Sequence, residues 1–308
     1  MAGRILDGKK IGAAIRADAA GAAREFARSA RRPPGLAVVL VGDDPASAIY
    51  VRGKIKASRE AGIVSETHRL PAATTAPELA GLLERLNRDE AVDAILLQLP
   101  LPDGLEASEF LARIRPEKDV DGFHPENVGR LVAGLPGPCP CTPAGIMEMF
   151  RREGIPVKGS RAVVVGRSDI VGKPLALLLL HQHATVTVCH SRTRDLPAVC
   201  READILCTAI GRPAMVRADA IREGAVVVDV GMNRAGTEAE VRDFFGEDEK
   251  RLARFRRNGY TLVGDVHPVA MRERSSAYTP VPGGVGPLTI AMLLANTVAL
   301  AVARQSDR

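Results

Sequence analysis

The sequence predicts an α/β protein of two domains, each built on a largely parallel sheet. Three observations carry that reading. Apolar runs with strand character alternate with helical patterns along the chain. The runs form two sets, separated by the Pro- and Gly-rich stretch Gly134 to Pro143, or slightly earlier at Asp119 to Pro125, where periodicity lapses. A length of 308 residues accommodates two domains of about 150 residues each. The expected division is residues 1–120 and 121–308, with a last helix from about 285 to 308.

In the first half the expected strands are Leu36 to Val41, Val64 to Leu70 and Val92 to Leu97. Between the first two, Asp44 and Pro45 form a cap and first-turn pair, and Gly62 lies beyond the far end, so a helix is expected over Pro45 to Ala61. Thr142 and Pro143 open another helix, which Gly154 closes. In the second half the expected strands are Ala162 to Val165, Thr185 to Cys189, Ile205 to Thr208 and Val226 to Val230. No internal repeat or low-complexity tract interrupts them.

Composition removes several classes. With 46% hydrophobic and 26% charged residues, the chain as a whole is not disordered, collagenous or a coiled coil. Five cysteines without a C-x-x-C pair make no disulfide framework, which points to a reducing, cytoplasmic setting, and the charged start carries no secretory signal. Ser275 to Ala303 holds no charged residue, yet Thr289, Asn296 and Thr297 behind three prolines fit a buried helix after a loop better than a membrane span. The net charge of +5 is scattered, and the dense run Lys250 to Arg257 follows acidic Glu247, Asp248 and Glu249, so a solvated mixed-charge face is expected there. Neither nucleic acid nor a membrane is expected as a partner, and no metal site is read.

The chemistry-bearing residues cluster in a few places. Ser47, Tyr50 and Lys54 share one face of the expected helix, which sets an aromatic ring beside an amine. By itself this spacing is that of an ordinary surface pair with packed stems. Gln98 ends an apolar strand just before Leu99, Pro100, Leu101 and Pro102. Asp121 stands with Asp119 in a turn-rich stretch where either carboxylate could simply close an Asx turn. Thr279 to Thr289 is rich in Pro and Gly, and its plain reading is a rigid connector into the last helix.

The nucleotide signal is stronger. After the strand Ala162 to Val165 comes Gly166-Arg167-Ser168-Asp169-Ile170-Val171-Gly172-Lys173-Pro174, leading into an apolar helix. A glycine turn between strand and helix lets backbone N–H groups and the helix dipole meet a pyrophosphate, as in a Rossmann-like domain. Ser168 occupies the place of the usual middle glycine, and its hydroxyl offers a phosphate contact of its own. The next strand ends in His190-Ser191-Arg192-Thr193, with no carboxylate before Asp195 to take a ribose 2′-hydroxyl. Arg167, Ser191 and Arg192 suit a 2′-phosphate instead, which favours NADP.

Taken in order from Val41 to Thr289, these segments resemble the bifunctional methylenetetrahydrofolate dehydrogenase/methenyltetrahydrofolate cyclohydrolase family. The matching pieces are Val41 to Ser47 with Tyr50-Val51-Arg52 and Lys54, Gln98 to Pro102, Lys118 to Gly122, Gly166 to Pro174, Cys189 to Thr193, and Thr279 to Pro287. The resemblance implies an N-terminal folate-binding catalytic domain, a Rossmann-like NADP domain, a C-terminal helix packed back on the first domain, and a homodimer. It implies that Tyr50 stacks on the folate, Lys54 is the catalytic lysine of the cyclohydrolase step, Gln98 orients that lysine, and Asp121 grips the pterin. Ser47, Leu99, Pro100, Pro282, Gly283 and Gly284 would complete the substrate contacts. Gly166, Arg167, Ser168, Ile170, Gly172, Pro174, His190, Ser191, Arg192 and Thr193 would hold the cofactor. Substrates would be tetrahydrofolate derivatives. An NADP dehydrogenase for shikimate or an amino acid would leave Lys54 beside Tyr50, and the Gly-Gly-x-Gly-Pro run, unexplained. A basic nucleic-acid-binding module would need a clustered basic stripe. One departure stands out: Ala235 to Thr261 interposes 27 residues where the family has a short stretch, and Phe244, Phe245, Leu252 and Phe255 predict a small surface helix within it.

Overall fold

The computed structural model describes residues 3–306. Two compact units share the chain: Gly12–Cys141 with Thr289–Arg308, and Met1–Ile11 with Thr142–Leu288. The strands in chain order are β1 (Arg4–Ile5), β2 (Gly35–Val41), β3 (Val64–Leu70), β4 (Ala94–Leu97), β5 (Arg161–Val165), β6 (Thr185–Cys189), β7 (Ile205–Thr208), β8 (Val226–Asp229), β9 (Asn233–Ala235), β10 (Thr261–Val263) and β11 (Ala277–Tyr278).

In the first unit a parallel sheet has the order β3-β2-β4. Every residue of β2 is buried, as expected for a strand covered on both faces. Its alternation assigns each side chain to one of two cores. Leu36, Val38 and Leu40 face Val51 and Ala57, together with Leu293, Leu294 and Val298. Ala37, Val39 and Val41 face Leu79, Leu82, Leu83, Leu86 and Phe110. The apolar C-terminal helix Gly286–Ser306 is long and apolar enough to cross a membrane by length and composition alone, and it instead fills the first of these cores. Burying each of its leucines contributes roughly 1.5–3 kcal/mol.

The second unit carries the six-stranded sheet β1-β11-β8-β7-β5-β6, parallel throughout. From β5 the chain moves outward to β6 and then back across to β7. This makes the C-terminal end of β5 a topological switch point, where α/β sheets bind ligands.

The division differs in two respects from a break at Asp121. Residues 121–141 belong to the first unit, because Asn296 Nδ2 donates to the carbonyls of Val120 (2.9 Å) and Cys139 (3.0 Å) and the Cys141 side chain lies in its core. The N-terminal residues join the second unit, because β1 pairs with β11. The interposed segment also holds more than a surface helix. Helices Glu238–Phe245 and Glu249–Asn258 lie between the antiparallel strands β9 and β10. They share a small core of Val241, Phe244, Leu252 and Val263 with Ala214 and Ala235. Period-3.6 reading found the helical character, but the hairpin strands, three residues each, are too short for alternation to register.

Candidate active site

In the first unit, the helix Pro45–Glu60 begins directly after β2 and its loop, with Asp44 accepting a hydrogen bond from the Ser47 N–H at 2.7 Å. That cap sets the rotation of the helix and hence the face carrying Ser47, Tyr50 and Lys54. Ser47 and Lys54 are buried, whereas Tyr50 keeps 40% of its surface exposed. Partial burial pushes the Tyr50 phenol up from its ordinary pKa, so it stays protonated near neutrality.

Gln98 follows β4, adjacent to β2 in the sheet, and this adjacency brings it to the helix. Lys54 Nζ donates to Gln98 Oε1 at 3.0 Å, and Gln98 Nε2 donates to the Leu99 carbonyl at 2.7 Å. The second bond orients the first: with its amide nitrogen engaged by Leu99, Gln98 turns its oxygen to the amine. Leu99 is half-buried and Pro100, joined to it by a cis peptide bond, is exposed.

The two aspartates of the turn-rich stretch divide their roles. Asp119 closes the turn: its carboxylate accepts from the N–H of Gly122 (3.1 Å) and His124 (2.7 Å) and from Asn127 Nδ2 (2.9 Å). Asp121 lies in the electrostatic field of Lys54; desolvation raises its pKa, while the lysine charge and a hydrogen bond with the Cys141 thiol oppose the rise. Burial drives that thiol well above its ordinary pKa, and the Asp121 charge drives it further. Cys141 is the member of this group that sequence reasoning passed over. Its signal was present in Cys139-Pro140-Cys141-Thr142-Pro143, which reads only as a helix start.

In the second unit the glycine turn sits at the end of β5. Gly172, first in the helix Gly172–His181, packs so closely on the turn that a Cβ there would lie 2.2 Å from the Gly166 carbonyl oxygen. The close approach leaves backbone rather than side chain at the helix N-terminus, the cradle a pyrophosphate needs. Ser168 Oγ accepts from the N–H of Val171 (3.2 Å) and Gly172 (3.3 Å). The hydroxyl therefore serves the turn first, and its own proton remains for an anion. Arg167 and Ile170 are exposed, Pro174 is buried, and Lys173 pairs with Asp169. After β6, the His190 N–H donates to Thr193 Oγ1 at 2.8 Å and the Arg192 N–H to His190 Nδ1 at 3.1 Å. This tight turn leaves Ser191 and Arg192 exposed. Pro282, Gly283 and Gly284 belong to the same unit, where the Gly284 N–H donates to the Pro280 carbonyl at 2.8 Å.

A parallel sheet with a glycine turn at its switch point, in a chain that also holds a partly buried lysine–glutamine pair, has the layout of a dinucleotide-dependent dehydrogenase with a second polar centre. The family model of the tetrahydrofolate dehydrogenase/cyclohydrolase NAD(P)-binding domain matches residues 140–305, and that of the catalytic domain matches residues 6–121. The bifunctional protein FolD of Koribacter versatilis is 55% identical over 307 residues, which span 100% of this chain and 99% of that protein. The crystal structure of the bifunctional enzyme FolD, methylenetetrahydrofolate dehydrogenase/cyclohydrolase, from Campylobacter jejuni matches with a TM-score of 0.88 at 43% identity, covering 98% of this chain and 100% of that one. The Trypanosoma brucei FolD complexed with NADP cofactor and inhibitor matches with a TM-score of 0.88 at 37% identity, covering 100% of this chain and 99% of that one. The chain belongs to the tetrahydrofolate dehydrogenase/cyclohydrolase family.

Proposed function

We infer that this chain carries out two consecutive reactions on one folate: NADP-dependent oxidation of 5,10-methylenetetrahydrofolate to the 5,10-methenyl cation, then its hydrolysis to 10-formyltetrahydrofolate. The observation that carries the reading is the partly buried Lys54–Gln98 hydrogen bond in the field of Asp121, in a chain matched by both domain models of the family. NADP, when bound, accepts the hydride. The residues that would hold it are the turn Gly166 to Pro174 and the segment His190 to Thr193, with Arg167, Ser191 and Arg192 toward the 2′-phosphate. The Gly166–Gly172 packing supports that assignment, because it keeps side chains out of the turn and lets an anion approach the positive end of the helix dipole.

The side chains of the first unit act on the folate. Tyr50 offers its ring for stacking, with Ser47, Leu99 and Pro100 around it. Pro282, Gly283 and Gly284 present backbone to the substrate. In the hydrolytic step Lys54, when unprotonated, takes a proton from the water that attacks the methenyl carbon; the C–N5 bond of the resulting carbinolamine then breaks, N5 taking that proton back from the ammonium while the hydroxyl proton passes to solvent and the formyl group stays on N10. Gln98 holds the amine in place without adding charge. The ammonium so formed is stabilised by the carboxylate of Asp121, which also grips the pterin.

The assembly is proposed to be a homodimer. β6 lies at the edge of its sheet, with Val188 39% exposed on it and Leu180 54% exposed on the preceding helix, and an open apolar edge of this kind calls for a partner. Five free cysteines support a cytoplasmic setting. The test is absorbance during incubation with 5,10-methylenetetrahydrofolate and NADP. NADPH should accumulate while the methenyl absorbance rises and then falls. Methenyl product that persists would remove the hydrolytic half, and absence of NADPH would remove the oxidative half.

A further inference from the structure

A side-chain hydrogen bond joins the interposed segment to the Pro- and Gly-rich loop. Arg251 lies on the helix Glu249–Asn258, whose first turn is fixed by Asp248 accepting from the N–H groups of Lys250 (3.0 Å) and Arg251 (3.1 Å). Its guanidinium is half-buried over the Phe245 ring, 4.4 Å from the centroid. From there Nη1 donates to the Leu262 carbonyl at 3.0 Å and Nη2 to the Val281 carbonyl at 2.9 Å. The first acceptor belongs to the segment's own strand β10; the second immediately precedes Pro282, Gly283 and Gly284. The neighbouring Leu252 is fully buried in the segment's core, and the hairpin is clamped by Arg234 over the Tyr260 ring at 4.4 Å. A rigid element thus ends in a two-pronged donor aimed at the loop, with the planar fork that suits two acceptors at once.

We propose that the segment 233–263 braces the loop 279–284, and that Arg251 is the positioning residue through which it holds the Val281 carbonyl and so sets the substrate-facing backbone of Pro282 to Gly284. This rests on the reading of that loop as a folate contact. Both partners lie in one unit, so the brace is independent of any motion elsewhere. Within the loop the Gly284 N–H reaches the Pro280 carbonyl, and Thr279 anchors its start by accepting from the Asp229 N–H at 2.8 Å. Arg251 holds the stretch between these two points.

The test compares wild type with Arg251→Met, Arg251→Lys and Gly283→Ala in the dehydrogenase reaction, varying each substrate in turn. Arg251→Met should raise the folate KM about tenfold while kcat stays within about twofold, the pattern of lost uniform binding. Arg251→Lys should recover part of the loss, since an ammonium still donates to the Val281 carbonyl. A merely structural role would instead lower kcat per mole of protein and leave KM unchanged, which would overturn the proposal. Gly283→Ala tests the loop separately, because Gly283 has φ +108°, where a Cβ is strained. If it raises the folate KM while Arg251→Met does not, the brace is wrong and the loop contact stands. If neither moves the KM, the loop contact itself is wrong and the brace falls with it. Should Arg251→Met fail to fold, amide exchange at Val281, Gly283 and Gly284 in Arg251→Lys decides: faster exchange than wild type supports the brace, and equal exchange overturns it.

Discussion

The two units bury polar groups to opposite ends. In the first unit Lys54 donates to Gln98 and lies in the field of Asp121, so one amine stands between a neutral and an acidic group. Asp229 and Asp265, more deeply buried in the second unit, are saturated. Asp229 accepts from the N–H groups of Gly231 (2.9 Å), Asp265 (2.9 Å) and Val266 (2.8 Å). Asp265 accepts from those of Ile210 (2.7 Å) and Arg212 (2.8 Å) and from Asn233 Nδ2 (2.9 Å). Saturated carboxylates hold loops at the ends of β7 and β8; the proposed mechanism gives the amine the chemistry. The glycine turn of the second unit follows the same logic, since it presents backbone and exposed cations rather than a buried reactive group.

The contrast breaks hardest at the lysine. Lys54→Met should reduce cyclohydrolase activity about a thousandfold, the range of a positioned general base, while dehydrogenase activity falls far less. Equal loss of both activities with folate binding intact would show that the lysine is not specific to the hydrolytic step. A smaller effect is expected at the exposed cations: Arg167→Ala should raise the NADP KM about tenfold and leave the NAD KM within about twofold. Parallel weakening of both cofactors would take the 2′-phosphate away from this arginine. A last effect, read in stability rather than activity, sharpens the description of the saturated pair. Burial raises the Asp229 pKa from 3.8 to about 7, so the native state favours its protonated form. The stability Asp229 contributes is full below pH 3.8 and is lost as pH rises through about 7. In denaturant titrations the stability of wild type relative to Asp229→Asn should therefore fall across that window. A difference that stays flat with pH would mean that the backbone donors compensate the buried charge completely.

Much of the architecture was legible because it is local. The cap at Asp44, the strand runs Val64–Leu70, Thr185–Cys189 and Ile205–Thr208, and the glycine turn after β5 all depend on neighbours within a few residues. The site was legible in part. The i, i+4 spacing put Tyr50 and Lys54 on one face, and the order of motifs from Val41 to Thr289 identified the family. The partition of Asp119 from Asp121 was not readable from the turn alone, because both stand in it and the side chains that help to separate them, Asn127 and Cys141, lie eight and twenty residues away. The short strands β1, β9, β10 and β11, two or three residues each, carry too little pattern to be seen in isolation.

From its residues alone this chain specifies where helices start, which strands are buried on both faces, and that a glycine turn can receive a phosphate, because steric and hydrogen-bonding preferences act over a few bonds. Contacts between distant segments were settled by packing: Gln98 meets Lys54 across 44 residues, and Arg251 meets Val281 across 30. Such pairs are selected by which strands lie side by side and which cores close over them. Burial then decides which polar group is held by backbone and which is left with a reactive valence.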